Sequence, residues 1–380
     1  MAHNVYIFTL SFSIPYALFL IWCIRGWITT PANNTILKKE KNVFVSVIIP
    51  ARNEEENIVQ CLSDFLLQDY DRDLFEIIVA DDHSTDRTAE NIRAFIHDHP
   101  SVKIQLLQIK DLSRQKTYKK HAITEAIALS KGILILTTDA DCRRGSEWIS
   151  RMANHYSGFH TAMISAPVIF ENEKSWLEKI QSLEFLGLIG IGAASIRNGH
   201  PFLCNGANLA FSKEVFIQNG GYASSKNLSS GDDTQLLLKI ASHDKDQIHF
   251  LKSAEATVLT HAQSTIKALY HQRRRWASKI PVGMNAFTIF IGVIAYFLHA
   301  GLLVSGFFAF YSGSFSYFFI PLLVKMIPEF ILLMLVTGFF KKSKLLFLFL
   351  PAQVLYPIYI SVVGIASVTG SYHWKGREVK

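Results

Sequence analysis

Residues 45–54, VSVIIPARNE, indicate the fold class because a run rich in β-branched side chains leads directly into a polar segment. A short apolar run bounded by polar residues predicts a buried β-strand. Two similar runs follow, Phe75 to Ala80 and Ile133 to Thr138. Segments with a helical pattern lie around these runs: Glu54 to Leu67, Asp86 to Ile96 and Tyr118 to Ser130. The alternation predicts an α/β fold with a mostly parallel sheet covered on both faces.

Polar and acidic residues follow each predicted strand, in the segments Pro50-Ala51-Arg52-Asn53-Glu54, Asp81-Asp82-His83-Ser84-Thr85 and Asp139-Ala140-Asp141. Open sheets of this kind bind ligands at the carboxyl ends of their strands. We expect an extended exit after the third strand, which would place Asp139 and Asp141 on one side as ligands for Mg²⁺ or Mn²⁺. Each pair alone is more typical of a turn or a helix cap. Their joint placement favours a binding site.

The composition is that of a membrane-associated protein with a folded domain. Of the 380 residues, 49% are hydrophobic and only 18% are charged, which excludes disorder. The formal net charge is +7, but residues 42–271 hold more Asp and Glu than Lys and Arg. The basic excess flanks the apolar segments, a membrane-border pattern that argues against a nucleic-acid partner. The four cysteines have neither zinc-ligand spacing nor a disulfide framework, which fits a reducing compartment.

Apolar segments at both ends of the chain are long enough to cross a bilayer. Val5 to Ile24 has no formal charge and predicts a retained anchor rather than a cleaved signal peptide. After Pro281 the composition predicts three spans: Ala286 to Phe310, Phe315 to Val336 and Leu345 to Val368. The predicted organisation is an anchor at 1–25, a cytosolic domain at 26–281, a membrane region at 282–370 and a basic tail at 371–380.

Basic residues beside the predicted spans indicate the orientation. Clusters at residues 38–41, 273–279 and 341–344 can all lie on the cytoplasmic side. The prediction is an integral protein of the cytoplasmic membrane with its central domain in the cytosol. Four full crossings would place the tail outside, whereas a re-entrant segment at Phe315 to Val336 would return it to the cytosol. Both alternatives stay open at this point, because Lys325 and Glu329 interrupt that segment.

Eight short motifs in residues 45–280 resemble those of membrane-bound family 2 glycosyltransferases with the GT-A fold. In chain order they are Val45 to Glu54, Val79 to Asp86, Lys119 to Ile123, Asp139 to Asp141, Asn205 to Asn208, Gly220-Gly221, Gly231 to Asp233 and Gln272 to Trp276. The last motif fits QxxRW. The resemblance implies a GT-A nucleotide-sugar-binding domain and inverting transfer from a nucleotide-diphosphate sugar, with a UDP-sugar preferred. It also implies a divalent cation, Mg²⁺ or Mn²⁺.

The resemblance also implies a role for each motif. Asp233 is the expected general base and Asp232 its partner, which would raise the apparent pKa of the pair. The expected metal ligands are Asp139 and Asp141. The expected nucleotide-sugar residues are Pro50, Ala51, Asn53, Glu54, Asp81, Asp82, Asp139 and either Lys119 or Lys120. The expected acceptor and diphosphate residues are Asn205, Gly206, Gln272, Arg275 and Trp276.

The chain departs from the family pattern at three positions and leaves several roles open. Asp232 replaces the usual glutamate, Tyr118 the glycine common before the motif lysine, and His83 a frequent glycine. Asp233 could instead cap a helix, and residues 272–276 could be a juxtamembrane basic cluster. Segment Ser175 to Ile196 is predicted to be an interfacial helix beside the acceptor, or alternatively a buried core helix.

Membrane segments at both ends favour an acceptor that partitions into the bilayer. We therefore predict sugar transfer at the cytoplasmic face to a lipid acceptor, with a glycan as the other acceptor class. One alternative function is that of a processive polysaccharide synthase, although three C-terminal segments are few for a translocation channel. The second alternative is a non-catalytic scaffold that binds a sugar nucleotide. The intact Asp233 and the intact DxD motif, Asp139-Ala140-Asp141, disfavour it.

Overall fold

The computed structural model describes residues 2–32, 43–109, 118–222, 232–277, 285–367, 372–374 and 377–379. The chain forms two compact units. The sheet unit comprises Thr30–Asn172 and Ser195–His261, and the helical unit comprises Met1–Thr29, Glu173–Ala194 and Ala262–Lys380. The predicted division at residues 25, 281 and 370 stays a prediction.

The strands, in chain order, are β1 Val45–Ala51, β2 Phe75–Asp81, β3 Ile104–Gln108, β4 Leu134–Thr137, β5 Arg143–Arg144, β6 Met163–Ser165, β7 Val168–Phe170, β8 Leu209–Ser212, β9 Ile248–Phe250, β10 Val258–Thr260, β11 Tyr372–Trp374 and β12 Arg377–Val379. The α-helices are α1 Ala2–Thr29, α2 Ile58–Ser63, α3 Thr88–Asp98, α4 Tyr118–Leu129, α5 Trp148–Phe159, α6 Trp176–Arg197, α7 Lys213–Gln218, α8 Asp232–Asp244, α9 Ile266–Ala277, α10 Ala286–Ser312, α11 Ser316–Phe339 and α12 Phe349–Ser367.

The sheet unit is organised by a seven-stranded sheet in the order β3-β2-β1-β4-β8-β6-β9. Strand β8 runs antiparallel to β4 and β6, and every other neighbouring pair is parallel. The sheet is therefore mostly parallel, as the alternating pattern predicts. A smaller sheet has the order β5-β10-β7.

The central strands are apolar runs because both faces of the sheet are covered. All four residues of β4 are buried, and in β1 every residue except Pro50 is buried. The parallel register pairs Ala51 of β1 with Asp81 of β2, and Ile48 of β1 with Thr137 of β4. The acidic segments after these strands consequently start from one edge of the sheet.

The helix predicted from Glu54 begins later, at Ile58, and continues as a 3₁₀ segment from Asp64 to Leu67. Residues 55–57 form a turn. The backbone amides of Asn57 and Ile58 both donate to the Glu54 carbonyl, at 3.0 and 2.9 Å. The first bond is of the 3₁₀ type and the second of the α type, so residues 55–57 form a tight turn that leads into α2.

The helical unit has α-helices at both ends of the chain, and its last described elements are the antiparallel strands β11 and β12. Five helical stretches are long and apolar enough to cross a membrane: His3–Thr29, Trp176–Arg197, Ala286–Ser312, Ser316–Phe339 and Ser343–Ala366. Four of them correspond to the predicted anchor and the three predicted C-terminal spans. The fifth is α6, where the sequence predicts an interfacial or buried helix.

Helix α11 is one continuous helix of 24 residues that contains both prolines of the segment. Its two charges are paired within the bundle. Lys325, 1% exposed, donates to Glu329 at 2.7 Å and to Gln353 of α12 at 2.6 Å. Tyr16 of α1 donates to the second Glu329 oxygen at 2.8 Å. Internal neutralisation of this kind lets an apolar helix carry two charged residues.

Candidate active site

The end of β2 holds two buried aspartates. Asp81 and Asp82 are 3% and 4% exposed. Asp81 Oδ1 accepts the Ser84 amide at 3.1 Å, and Asp82 Oδ1 lies 3.0 Å from His83 Nδ1. The amide of Asp82 donates to the carbonyl of Ala51 at 2.9 Å, which continues the pairing of β1 and β2 past their ends.

His83 adopts a left-handed backbone conformation with φ of 57°. Glycine adopts this conformation without steric cost, which explains why a glycine would suit this position in related sequences. The contact with Asp82 is an interaction that glycine could not make. Histidine instead of glycine at position 83 therefore makes the left-handed backbone less favourable but adds a side-chain contact at the strand end.

Residues after β1 are braced against the loop that follows β2. Asn53, at φ of 50°, donates its amide to Ser84 Oγ at 3.0 Å and accepts the Thr85 amide at 2.9 Å. Glu54 is 8% exposed, and its amide donates to Thr88 Oγ1 at 2.7 Å. Two of the residues predicted to bind the nucleotide thus have a clear structural function as well.

Asp86 stabilises the start of α3. Its Oδ1 accepts the amide and the hydroxyl of Thr88 at 3.0 and 2.6 Å. Burial raises the pKa of the Asp86 carboxyl, but hydrogen bonds from Thr88 and from the Glu55 amide outweigh burial and hold the pKa below its ordinary value. Asp86 thus braces the loop that precedes α3, while Asp81 and Asp82 lie at the strand end itself.

The DxD segment after β4 contains a turn instead of the predicted extended exit. The Cys142 amide donates to the Asp139 carbonyl at 3.2 Å, and Ala140 and Asp141 form the turn. Ala140 is 1% exposed, whereas Asp141 is exposed. Burial of Ala140 favours the turn, because it anchors the segment between two solvent-accessible carboxylates. The prediction of an extended backbone here was wrong.

Lys119 and Lys120, which the sequence leaves as alternatives, have different surroundings. Lys119 Nζ lies 2.5 Å from Asp139 Oδ1, and both side chains are about one-third exposed. Lys120 is 3% exposed and donates to Gln235 of α8 at 3.3 Å. Consecutive residues on a helix point about 100° apart, so the two side chains leave α4 in different directions. The Lys119 ammonium contacts the DxD segment.

Asp233, at the start of α8, is connected to the end of β4 through Gly206. The Gly206 amide donates to Asp233 Oδ2 at 2.9 Å, and Thr137 Oγ1 of β4 donates to the Gly206 carbonyl at 2.8 Å. Asp233 Oδ1 accepts the Thr234 amide at 2.8 Å. A Cβ added at Gly206 would lie 3.4 Å from Asp233. The carboxylate is therefore held close to the strand end that leads into the DxD segment.

The remaining residues of the Asn205–Asn208 motif support this connection. Asn205 Oδ1 accepts the Ala207 amide at 3.0 Å and caps a 3₁₀ turn. Asn208 is fully buried and bonds to Trp148 and to the carbonyls of Pro167 and Ala256. Asn208 is structural, and the loop it anchors carries Gly206.

Two neighbouring groups have shifted pKa values. Burial raises the pKa of the Cys204 thiol well above its ordinary value, and the negative charge of Asp233 raises it further. Burial lowers the pKa of the Lys239 ammonium, and the positive charge of Lys120 adds to the decrease. Burial and a nearby charge thus act in the same direction on each of these two groups beside Asp233 and α8.

Asp232 begins α8, but its side chain and residues 223–231 lie outside the part of the chain that the structure describes. The predicted partnership of Asp232 with Asp233 therefore stays a prediction. The same holds for the roles of Pro50 and Ala51, which lie at the end of β1 with Ala51 2% exposed.

The QxxRW residues Gln272, Arg275 and Trp276 lie on α9 of the helical unit. Two residues beside them were not predicted from the sequence: Arg273 of α9 and Glu184 of α6. Arg273 Nη2 lies 2.5 Å from Glu184 Oε2. Glu184 is the last acidic residue of an apolar helix, and an acid in such surroundings needs a buried partner. The acidic residue within an apolar segment was visible in the sequence, but the sequence does not identify Arg273 as its partner.

The DxD carboxylates fit one class of metal. Among the described residues, no group of three His, Cys, Asp or Glu side chains could hold an ion. Mg²⁺ and similar cations are often bound by one or two carboxylates, with water and substrate phosphates completing the coordination. Asp139 and Asp141 offer oxygen ligands of this type, and both are solvent-accessible. The donor set suits a cation that arrives with a phosphate-bearing substrate.

Two family models match the chain. The model for glycosyl transferase family 2 matches residues 46–220. The model for glycosyl transferase family group 2 matches residues 134–359, more than half of the chain. Together they include the strand ends, the DxD segment, Asp233 and α9.

Similar proteins extend this agreement. The chain is 34% identical over 127 residues to glycosyltransferase AglE of Haloferax volcanii. The aligned residues make up 33% of this chain and 40% of that protein. The chain is 38% identical over 106 residues to a dolichyl-phosphate beta-glucosyltransferase of Dictyostelium discoideum, 26% of this chain and 31% of that protein. The chain thus spans less than half of the length of these relatives.

A solved structure has the same fold. It is the mannosyltransferase PcManGT from Pyrobaculum calidifontis, in complex with GDP-Man and Mn²⁺. The TM-score is 0.60 at 16% sequence identity, and 97% of each chain is covered. The fold is therefore GT-A-like, with the mostly parallel sheet described above.

Proposed function

Because this chain belongs to glycosyl transferase family 2, we propose that it is an enzyme that moves a sugar from a nucleotide-diphosphate donor to a lipid acceptor with inversion at the anomeric carbon. A UDP-sugar is the first donor to test, and a GDP-sugar the second. The PcManGT structure contains GDP-Man, so the donor panel includes both nucleotides.

One observation carries the proposal: Gly206 connects Thr137 of β4 with Asp233 by hydrogen bonds of 2.8 and 2.9 Å. This arrangement holds a carboxylate beside the strand that leads to Asp139. A base and a diphosphate site must lie close together for direct displacement, because the acceptor oxygen attacks the carbon that the diphosphate leaves.

In this mechanism Asp233 takes the proton of the acceptor hydroxyl as the hydroxyl oxygen attacks. Its orientation is fixed by the amides of Gly206 and Thr234, so the carboxylate is positioned before the acceptor binds. The carbon–oxygen bond to the diphosphate breaks as the new glycosidic bond forms. The electron pair of the broken bond stays on the diphosphate.

The leaving diphosphate is bound by cationic groups at the end of β4. Lys119 lies beside Asp139 and can donate to a phosphate oxygen. Asp139 and Asp141 would hold Mg²⁺ or Mn²⁺, which stabilises the negative charge that develops on the diphosphate. Asp81 and Asp82 are proposed to contact the nucleotide, and Arg275 of α9 is proposed to assist the diphosphate.

A lipid acceptor is supported by the apolar helices of this chain. The name of the Dictyostelium relative includes dolichyl phosphate, a lipid. An acceptor confined to the bilayer would favour an enzyme that is itself held there. We place the transfer at the cytoplasmic face, since the basic clusters flanking the predicted spans are typical of cytoplasmic loops.

Helix α6 is proposed to lie along the membrane surface or within the protein rather than to cross. It begins shortly after β7, and the eight non-helical residues 198–205 connect its end to Gly206. If α6 crossed the membrane, this segment would have to return through the hydrocarbon core without helical hydrogen bonds. Lipid-exposed irregular backbone is not tolerated there, so a crossing is disfavoured.

The test incubates membranes holding the protein with labelled UDP- and GDP-sugars, with and without EDTA, and then extracts them with organic solvent. Metal-dependent label in the organic phase is the expected result, with NMR of the product showing an inverted anomeric configuration. Label in insoluble polymer would instead identify a polysaccharide synthase. No transfer from any donor, or full transfer in excess EDTA, would overturn the proposal or its metal site.

A further inference from the structure

We infer that Glu184 of α6 is a positioning residue for α9, acting through Arg273 to orient Trp276 and Arg275. The inference rests on the proposed role of the motif Gln272–Trp276 in transfer. Glu184 precedes Arg273 by 89 residues, so the connection arises only from folding.

The Glu184 carboxylate is bonded through both oxygens. Arg273 Nη2 donates to Oε2 at 2.5 Å, and Tyr359 of α12 donates to Oε1 at 3.2 Å. The side chains of Arg273 and Glu184 are 3% and 14% exposed. A buried ion pair is held in a defined geometry, because neither charge can exchange its partner for water without a large cost.

Arg273 in turn contacts the motif tryptophan. Its guanidinium carbon lies 4.2 Å from the centroid of the Trp276 ring, a cation–π distance. The Phe185 ring is 6.2 Å from the same ring at an interplanar angle of 31°. Consecutive residues of α6 thus contact the arginine and the tryptophan, and one face of Trp276 is covered by a guanidinium.

The arginine between Arg273 and Arg275 holds a second side of α9. Arg274 Nε donates to the Ala366 carbonyl of α12 at 3.1 Å. Residues 273, 274 and 275 project about 100° apart around the helix axis. Contacts to α6 and α12 therefore resist rotation of α9, which fixes the backbone position from which Arg275 projects. Arg273 and Arg274 thus hold α9 in place, and Arg275, which follows them, is the arginine proposed to assist the diphosphate.

The experiment is a double-mutant cycle on the full-length protein in detergent, with Glu184→Gln, Arg275→Ala and the double variant. Both single variants are expected to lower kcat by about 10- to 100-fold, with little change in donor affinity. The double variant should match Arg275→Ala within about threefold, because residues acting through one another are not additive. Additive losses would overturn the inference.

Glu173→Gln is the matched control, since Glu173 accepts bonds from Lys342 and from Ser182 of α6 and has no described bond to α9. It should lower thermal stability without changing kcat or showing coupling to Arg275→Ala. Equal coupling in the control would indicate a general structural effect and overturn the inference. Wild-type activity of Arg275→Ala would instead refute the proposed role of the motif.

A milder variant keeps the inference testable if Glu184→Gln does not fold. Tyr359→Phe removes the hydroxyl that bonds to Glu184 at 3.2 Å and also interacts with Arg273, and it leaves both members of the ion pair in place. It should fold and lower kcat about threefold in the wild-type background, with no effect in the Arg275→Ala background. The same effect in both backgrounds would overturn the inference.

Discussion

Replacing Asp233 by asparagine tests the proposed base while keeping the size of the side chain. The two carboxylate oxygens accept backbone amides from Gly206 and Thr234, at 2.9 and 2.8 Å. An asparagine has only one oxygen, so its NH₂ group must face one of the two amide donors. The variant therefore loses one hydrogen bond as well as the proton acceptor.

The two losses have different sizes and different readouts. Loss of one bond to a charged acceptor is expected to cost about 1.5–3 kcal/mol of unfolding free energy. Loss of a general base typically slows the reaction by about 10² to 10⁴. At 1.36 kcal/mol for each factor of ten, the barrier rises by about 2.7–5.4 kcal/mol. Donor binding should stay close to wild type, because the nucleotide residues are unchanged.

The assay combines thermal unfolding, nucleotide titration and single-turnover transfer to the native acceptor. Asp244→Asn is the matched control, since Asp244 at the other end of α8 also accepts a backbone amide, from Asp246 at 3.0 Å. It should lose some stability and keep its turnover. Wild-type turnover of Asp233→Asn would refute the base assignment and leave Asp233 as a helix cap, with Asp232 as the next candidate.

Two further substitutions test buried and partly exposed ion pairs. Lys119→Met should weaken nucleotide-diphosphate binding about tenfold in titrations but change the unfolding free energy by less than about 1 kcal/mol, since Lys119 is 31% exposed. The control is Lys103→Met, which replaces an exposed lysine. Equal nucleotide affinity of Lys119→Met and the wild type would refute a diphosphate contact. Glu329→Leu should lower the unfolding free energy in detergent by about 3–5 kcal/mol, because it leaves Lys325 charged and buried. Lys325→Met combined with Glu329→Leu should lower it by less. Additive losses of the two single substitutions would refute the pairing.

Much of the sheet unit follows from local sequence. Strands β1, β2 and β4 are predicted from apolar runs, because a strand covered on both faces must be apolar along its length. The helices α3 and α4 lie within a few residues of their predicted ranges. The predicted extended exit at Asp139 was wrong, because burial of Ala140 and the bond from Cys142 favour a turn that strand periodicity does not reveal.

The four long apolar segments at the chain ends were also predicted from sequence alone. Their composition is sufficient because a bilayer selects for length and hydrophobicity rather than for particular neighbours. Composition left the charged pair in α11 unexplained. The folded bundle accounts for it, since Tyr16 and Gln353 come from distant parts of the chain to bind Glu329 and Lys325.

The sequence by itself determined the fold class, the apolar segments and the family, because each is encoded in local periodicity or in short ordered motifs. Only the tertiary structure decided that Lys119 contacts Asp139, that Gly206 holds Asp233, and that Glu184 holds Arg273. The physical reason is that hydrogen bonds and ion pairs act over a few ångströms, so their partners depend on how distant segments pack and leave no periodic pattern in the sequence.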